Sequence, residues 1–262
     1  MKKLTIALLM SAVLASASGC GPTVKNYFAS SNNYWSKTST TAYATVTIEN
    51  DTGMKSDKGA MGAIAKSVKI ASSIAGSVIE QDQGNRMHRI INPNDIAEMV
   101  TVGFDENFSG NTHIQHVAQN QSPDLRIFLD VVDYGLYARS AIDAMQFYVA
   151  ADVKVVYAPE LVTIYTRQAT VSRTASDVAS DIVNMSKAKY EAATDYPDFL
   201  IRLAGLRDKL NAMGDVVNIA SGVANMAAFF KLTDKDIVTI FQYMAYDAGH
   251  VIANELVEAI YQ

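Results

Sequence analysis

Cysteine and tryptophan each occur once in this 262-residue chain, and proline five times. One cysteine excludes an internal disulfide framework and leaves no thiol pair for a zinc site. Positive charge is also scarce. Lys and Arg total 22 against 27 Asp and Glu, a formal charge of −5. A mildly acidic chain argues against a nucleic-acid partner, because phosphate neutralisation takes clustered Lys and Arg. Catalytic signatures are absent as well. There is no G-x-S-x-G elbow, no S-x-x-K with its partner motifs and no Gly-rich G-x-x-x-x-G-K phosphate loop. No repeat of fixed period occurs, and no heptads persist long enough for a coiled coil.

The four histidines are His88, His113, His116 and His250. His113 and His116 form an H-x-x-H pair, but in an extended segment positions i and i+3 point to opposite faces. No zincin glutamate accompanies them, so neither a metal nor any other cofactor is expected. His250 lies beside Asp247 on an expected helix and reads as a solvated or interface histidine. Asp130 and Asp133 fall on one expected strand. Three residues apart, they are expected on opposite faces, as turn and edge polarity rather than an acid–base pair. Arg167 and Arg173 share a strand face with Tyr165, either as a binding patch or, the preferred reading, as ordinary outer-face polarity. No catalytic residue is assigned, and the chain is not expected to be an enzyme.

What is present begins with MKKLTIALLMSAVLASASGC. Lys2 and Lys3 precede an apolar run from Leu4 to Ala17. That run is too short for a hydrocarbon core of about 30 Å, which takes about 20 apolar residues. It reads as a signal peptide over residues 1–19. Ala17-Ser18-Gly19-Cys20 resembles the bacterial lipobox, with Ala17 where the pattern prefers leucine. The resemblance implies a diacylglyceryl group on the Cys20 thiol and acyl chains such as palmitate as the membrane anchor. The alternative is a secreted protein with a leftover cysteine. Gly21, in place of the aspartate that favours inner-membrane retention, points to the outer membrane with the domain facing the periplasm. Removing Lys2 and Lys3 takes the charge from −5 to −7.

Residues 20–42 are rich in Ser, Thr and Asn and read as anchor and tether. Tyr27, Phe28, Tyr34 and Trp35 interrupt them, as aromatics docking on the domain or, alternatively, lying near lipid headgroups. Alternation predicts a strand over 43–49 and a turn at Asn50-Asp51-Thr52-Gly53. Residues 59–80 predict an amphipathic helix rich in Gly, Ala and Ser. A membrane-inserting hairpin is its alternative. Asn92-Pro93-Asn94-Asp95 opens a helix that ends at Ser109-Gly110-Asn111. Strands are expected over 125–134, 146–157 and 161–173, the last two as an antiparallel hairpin around Ala158-Pro159-Glu160. Helices are expected over 177–193, 197–213, 215–230 and from the capping box Thr233-x-x-Asp236 to about 260.

The expected fold is α+β: a small mixed or antiparallel sheet over 43–175 packed on helices, followed by a C-terminal helical bundle over 176–262. The helix after Asn92-Pro93-Asn94-Asp95, the run Pro123-Asp124-Leu125-Arg126-Ile127 and the hairpin 146–173 are similar to periplasmic envelope lipoproteins of the curli-secretion-channel and transport-auxiliary kinds. The resemblance covers about 90–175. It implies a helix on a small mixed sheet, used for assembly or docking, and transfers no functional residue. Two functions follow as expectations. One is a non-enzymatic lipoprotein that binds an envelope protein or itself. The other is a carrier or sensor of a lipid or other apolar ligand, suggested by the Met-, Ala- and Gly-rich helical half.

Overall fold

The computed structural model describes residues 23–48, 82–138, 145–184, 201–203, 205–206 and 229–261. The expected signal peptide, Cys20, the helix 59–80 and most of 185–228 lie outside them. The fold is α+β, a mixed six-stranded sheet that packs on the two long helices among the described residues, Pro93–Asn111 and Asp234–Tyr261.

In chain order the elements are α1 (Val24–Ser30), β1 (Asn33–Thr40), β2 (Thr45–Ile48), α2 (82–90), α3 (Pro93–Asn111), β3 (Gln115–His116), β4 (Leu125–Ala138), β5 (Gln146–Tyr157), β6 (Val162–Thr174), α4 (Ala175–Asn184) and α5 (Asp234–Tyr261). The sheet order is β3-β1-β4-β5-β6. Strands β1 and β2 lie end to end along one side of β4, both parallel to it. Strands β4, β5 and β6 form an antiparallel meander.

The stretch 24–40 corrects the expected tether. It folds as α1 and β1, with Phe28 and Tyr34 buried in the core. The inward positions of β1 are Tyr34, Ser36, Thr38 and Thr40, three of them polar. Hydroxyls replace hydrophobes there because α3 offers partners: Ser36 donates to Asp105, and Thr101 bonds Thr38 at 2.6 Å. At the start of β1, Asp124 accepts from the backbone of Asn32 at 2.8 Å, and Asn33 accepts from the Asp124 amide at 2.8 Å.

Strand β4 runs to Ala138, and its register against β5 shifts between Val131 and Asp133. One extra residue on one strand reverses the alternation beyond it. Leu125, Ile127, Leu129 and Val131 are therefore buried before the bulge, and Tyr134 and Leu136 after it. Val132 is left exposed.

The expected helix starts form. Asn92 accepts from the Asn94 amide at 3.1 Å. Thr233 and Asp236 cap each other reciprocally, with Thr233 Oγ1 donating to the carboxylate at 2.6 Å. Thr174 and Asp177 repeat that box at the start of α4. Arg86 of α2 joins the chain before α5 by donating to Phe230 O at 2.6 Å, Leu232 O at 3.0 Å and the Asp234 carboxylate.

Helices α3 and α5 pack on each other at two glycines. A Cβ on Gly103 would lie 2.0 Å from Tyr246 O, and one on Gly249 would lie 2.2 Å from Val100 O. Backbone meets backbone at this crossing, so only hydrogen fits. Beside it Phe104 and Phe108 stack at 5.3 Å, and the Tyr34 ring meets Phe108 edge-on at 5.0 Å. Among the described residues no helix is long and apolar enough to cross a membrane.

Candidate functional site

Three features of the described surface carry chemistry: a half-buried carboxylate under the β1–β3 edge, the pairing of α5 with β6, and the face of the sheet opposite the helices.

Asp105 on α3 points at β1. Its carboxylate accepts from Ser36 Oγ at 2.7 and 2.9 Å and from Tyr34 OH at 3.1 Å. His116 Nε2 of β3 lies 3.7 Å away, and Ser109 Oγ shares a 2.9 Å bond with Tyr34 OH. Burial pushes the Asp105 carboxyl upward, against the opposing effects of Ser36, His116 and Tyr34. Burial, then the nearby Asp105 charge, also pushes the Tyr34 phenol up. Ser36 and His116 meet at the carboxylate rather than at each other. A serine–histidine relay needs a hydroxyl-to-imidazole bond first. What the cluster does do is fasten the edge strands β1 and β3 to α3.

The next residue, Glu106, faces α5. It accepts from Tyr246 OH and lies 3.7 Å from His250 Nε2. Asn107 Nδ2 lies 3.1 Å from His250 Nδ1 and donates to His250 O at 3.2 Å. His250 is thus an interhelical residue beside the glycine crossing. Asp247, its sequence neighbour, pairs elsewhere.

That partner is Arg173, whose Nε donates to Asp247 at 3.0 Å; Arg167 lies 3.4 Å from Glu255. The two arginines do share a strand side with half-buried Tyr165, but it is the side that buries Ala169 and Val171. This corrects their reading as outer-face polarity: they hold the long helix α5 to the edge strand β6. Arg173→Ala should lower stability by about 0.5–1 kcal/mol, since the pair is partly exposed. A melting shift of about 1–4 °C would record it.

The H-x-x-H histidines do not converge. His113 Nε2 lies 3.1 Å from Ser31 O, while His116 faces Asp105. His88 packs on the Tyr43 ring at 4.0 Å. No group of three potential metal ligands occurs among the described residues. Asp130 and Asp133 require a second correction. The bulge at Val132 puts both on the outer face, because Leu129, Val131 and Tyr134 are all inward. Asp130 there lies opposite Asp152 and accepts from Ser39 at 3.2 Å, and Asp133 accepts from Tyr148 OH at 3.1 Å.

The outer face reads in register rows. Trp35, Arg126 and Val156 form one row; Lys37, Phe128 and Lys154 the next; Ser39, Asp130, Asp152 and Gln168 the third. The basic and aromatic rows lie at the α1 end, where Tyr27 of α1 packs on Tyr157 at 4.8 Å and bonds Glu160. The acidic row lies beyond them. Sequence reading missed this pattern and the Asp105 cluster. Alternation within β1 was the available signal, but its polar inward side concealed it.

No family model matches the chain, and no curated protein does. Among solved structures the chain is similar to protein XCC0632 from Xanthomonas campestris, of the family DUF330. The identity is 10%, over 87% of this chain and 84% of that one, with a TM-score of 0.34. Superposition that loose transfers neither fold detail nor function.

Proposed function

We propose that this chain is a bacterial envelope lipoprotein, anchored to the outer membrane through Cys20, that works without catalysis by binding an envelope protein or a second copy of itself. The observation that carries a contact role is β6. It is 13 residues long, and no described strand pairs with its far side. Proline, lysine and inward charge are the usual devices that blunt such an edge. Residues 162–174 hold no proline or lysine, and the inward charges present, Arg167 and Arg173, are taken up by Glu255 and Asp247 of α5. An open edge of this kind accepts a further strand by main-chain hydrogen bonds.

Photocrosslinking from position 168 in solubilised envelopes should yield one discrete adduct. Gln168→Lys with Thr170→Lys, both exposed, should abolish it while changing stability by no more than about 0.5 kcal/mol. Recovery of a clean monomer without adducts across growth conditions would overturn the reading. An apolar-ligand carrier draws less support. Among the described residues the apolar cavity, between α1 and the end of α5 and lined by Phe28, Ala29, Ile114 and Ile260, holds about 100 Å³, and the larger pocket along α2 is lined by charged and polar side chains such as Asp82, Arg86 and Arg89. A cavity of about 150 Å³ accommodates one benzene, far less than an acyl chain.

A further inference from the structure

We infer that the α1 end of the sheet, with the tip of the β5–β6 hairpin, lies against an anionic bilayer surface. The inference rests on the proposed Cys20 anchor for its geometry, and on four separate features of the described residues for its chemistry.

The first is Leu161 at the hairpin tip. Its side chain is 75% exposed, and its backbone sits at φ 56°. That left-handed conformation favours glycine and disfavours a side chain. Leucine there is disfavoured by the backbone and unrewarded by the core, so its benefit lies outside this fold. Val162 beside it is 42% exposed. The second is charge. Lys25 on α1 and Lys37, Arg126 and Lys154 on the outer face are exposed and form no ion pair among the described residues. Of the carboxylates there, Asp124 accepts from the Asn32 and Asn33 amides and Glu160 from the Tyr27 hydroxyl, while Glu258 on the last turn of α5 is exposed.

The third is the pair Trp35 and Phe128, which meet edge-on at 5.9 Å between those cations. A tryptophan flanked by Lys and Arg suits the headgroup level of a bilayer, where its ring is amphipathic. The fourth is polarity. Asp130, Asp133 and Asp152 occupy the far part of the same face, so an anionic surface attracts one end and repels the other. The chain also enters from the attracted end. Only residues 21–23 separate Cys20 from α1. A tether of three residues spans at most about 10 Å, so the anchored domain must present α1, and with it the hairpin tip, close to the lipid.

Trp35 is the only tryptophan, so the native chain carries its own probe. The full lipoprotein would be reconstituted into phosphatidylcholine vesicles with and without phosphatidylglycerol, both carrying brominated acyl chains. Trp35 emission should be quenched at least twofold more with phosphatidylglycerol, and the excess should vanish in Lys37→Glu with Lys154→Glu. Co-sedimentation of chain without lipid on Cys20 should fall about fivefold for each of Lys37→Gln, Arg126→Gln and Lys154→Gln. It should fall about tenfold for Leu161→Gly, although that variant should melt no lower than the parent. Trp35→Phe with Leu161→Trp moves the probe to the tip and should be quenched more than Trp35. Equal quenching in both lipids and in the charge-reversed variant, or full binding by Leu161→Gly, would overturn the inference. The mass of the mature chain reports Cys20 acylation independently. An unmodified cysteine refutes the anchor and leaves the co-sedimentation result standing; an acylated chain with unquenched tryptophans refutes the bilayer contact alone.

Discussion

Gly249→Ala should destabilise the protein by about 3 kcal/mol, although alanine is the better helix former. The gain in helix propensity is about 1 kcal/mol. Against it stands a methyl group placed 2.2 Å from Val100 O and 2.6 Å from Phe104 N. Both obstacles are backbone, so no side-chain rotation clears them. Helix α5 must move off α3, and contacts around Val100, Phe104, Met244 and Ala248, all buried, loosen with it. Overpacking of this kind costs about 1–3 kcal/mol and occasionally more. Melting should drop by about 6–12 °C for a domain of this size. Gly103→Ala meets Tyr246 O at 2.0 Å and should act alike. The double variant should lose less than the sum of the two, because one separation of the helices relieves both clashes. Full additivity, or a rise in melting temperature, would show that the helices do not meet at these glycines.

Removing the Asp105 carboxylate should cost about 2–3 kcal/mol in Asp105→Ala. Ser36 loses its acceptor in a place only 7% exposed, and Tyr34 keeps only Ser109 and a long bond to Asp105 O. Each buried donor left unsatisfied costs about 1–3 kcal/mol. Asp105→Asn, which retains an acceptor oxygen, should cost less. The pH dependence has a definite sign. Burial raises the folded-state pKa of Asp105 above its unfolded value, so the folded state holds the proton more tightly. The stabilisation from that proton is complete below the unfolded pKa and is lost as pH rises through the folded one. The parent should therefore gain on Asp105→Asn as pH falls from neutral toward 4. Denaturant titration of both proteins at several pH values measures the gap. A gap that narrows on acidification would contradict the burial of this carboxylate.

The sequence by itself determined the elements whose signals are local. Strands β4, β5 and β6 follow from alternation against one buried face, and α3 and α5 from caps that form with their own neighbours, Asn92 with Asn94 and Thr233 with Asp236. The α+β class follows from their order. Only the tertiary structure decided what depends on partners distant in the chain. Strand β1 reads as a polar tether because its inward Ser36 and Thr38 are satisfied by Asp105 and Thr101, more than 60 residues away. Asp130 and Asp133 share a face because Val132 bulges, and a period of two read along one strand carries no sign of an extra residue. Arg167 and Arg173 look solvated until α5 brings Glu255 and Asp247 to them. The basic and acidic ends of the outer face emerge the same way, from the register of three strands drawn from residues 33–40, 125–138 and 146–157. Periodicity records which side of an element is buried; register and packing decide which side chains meet.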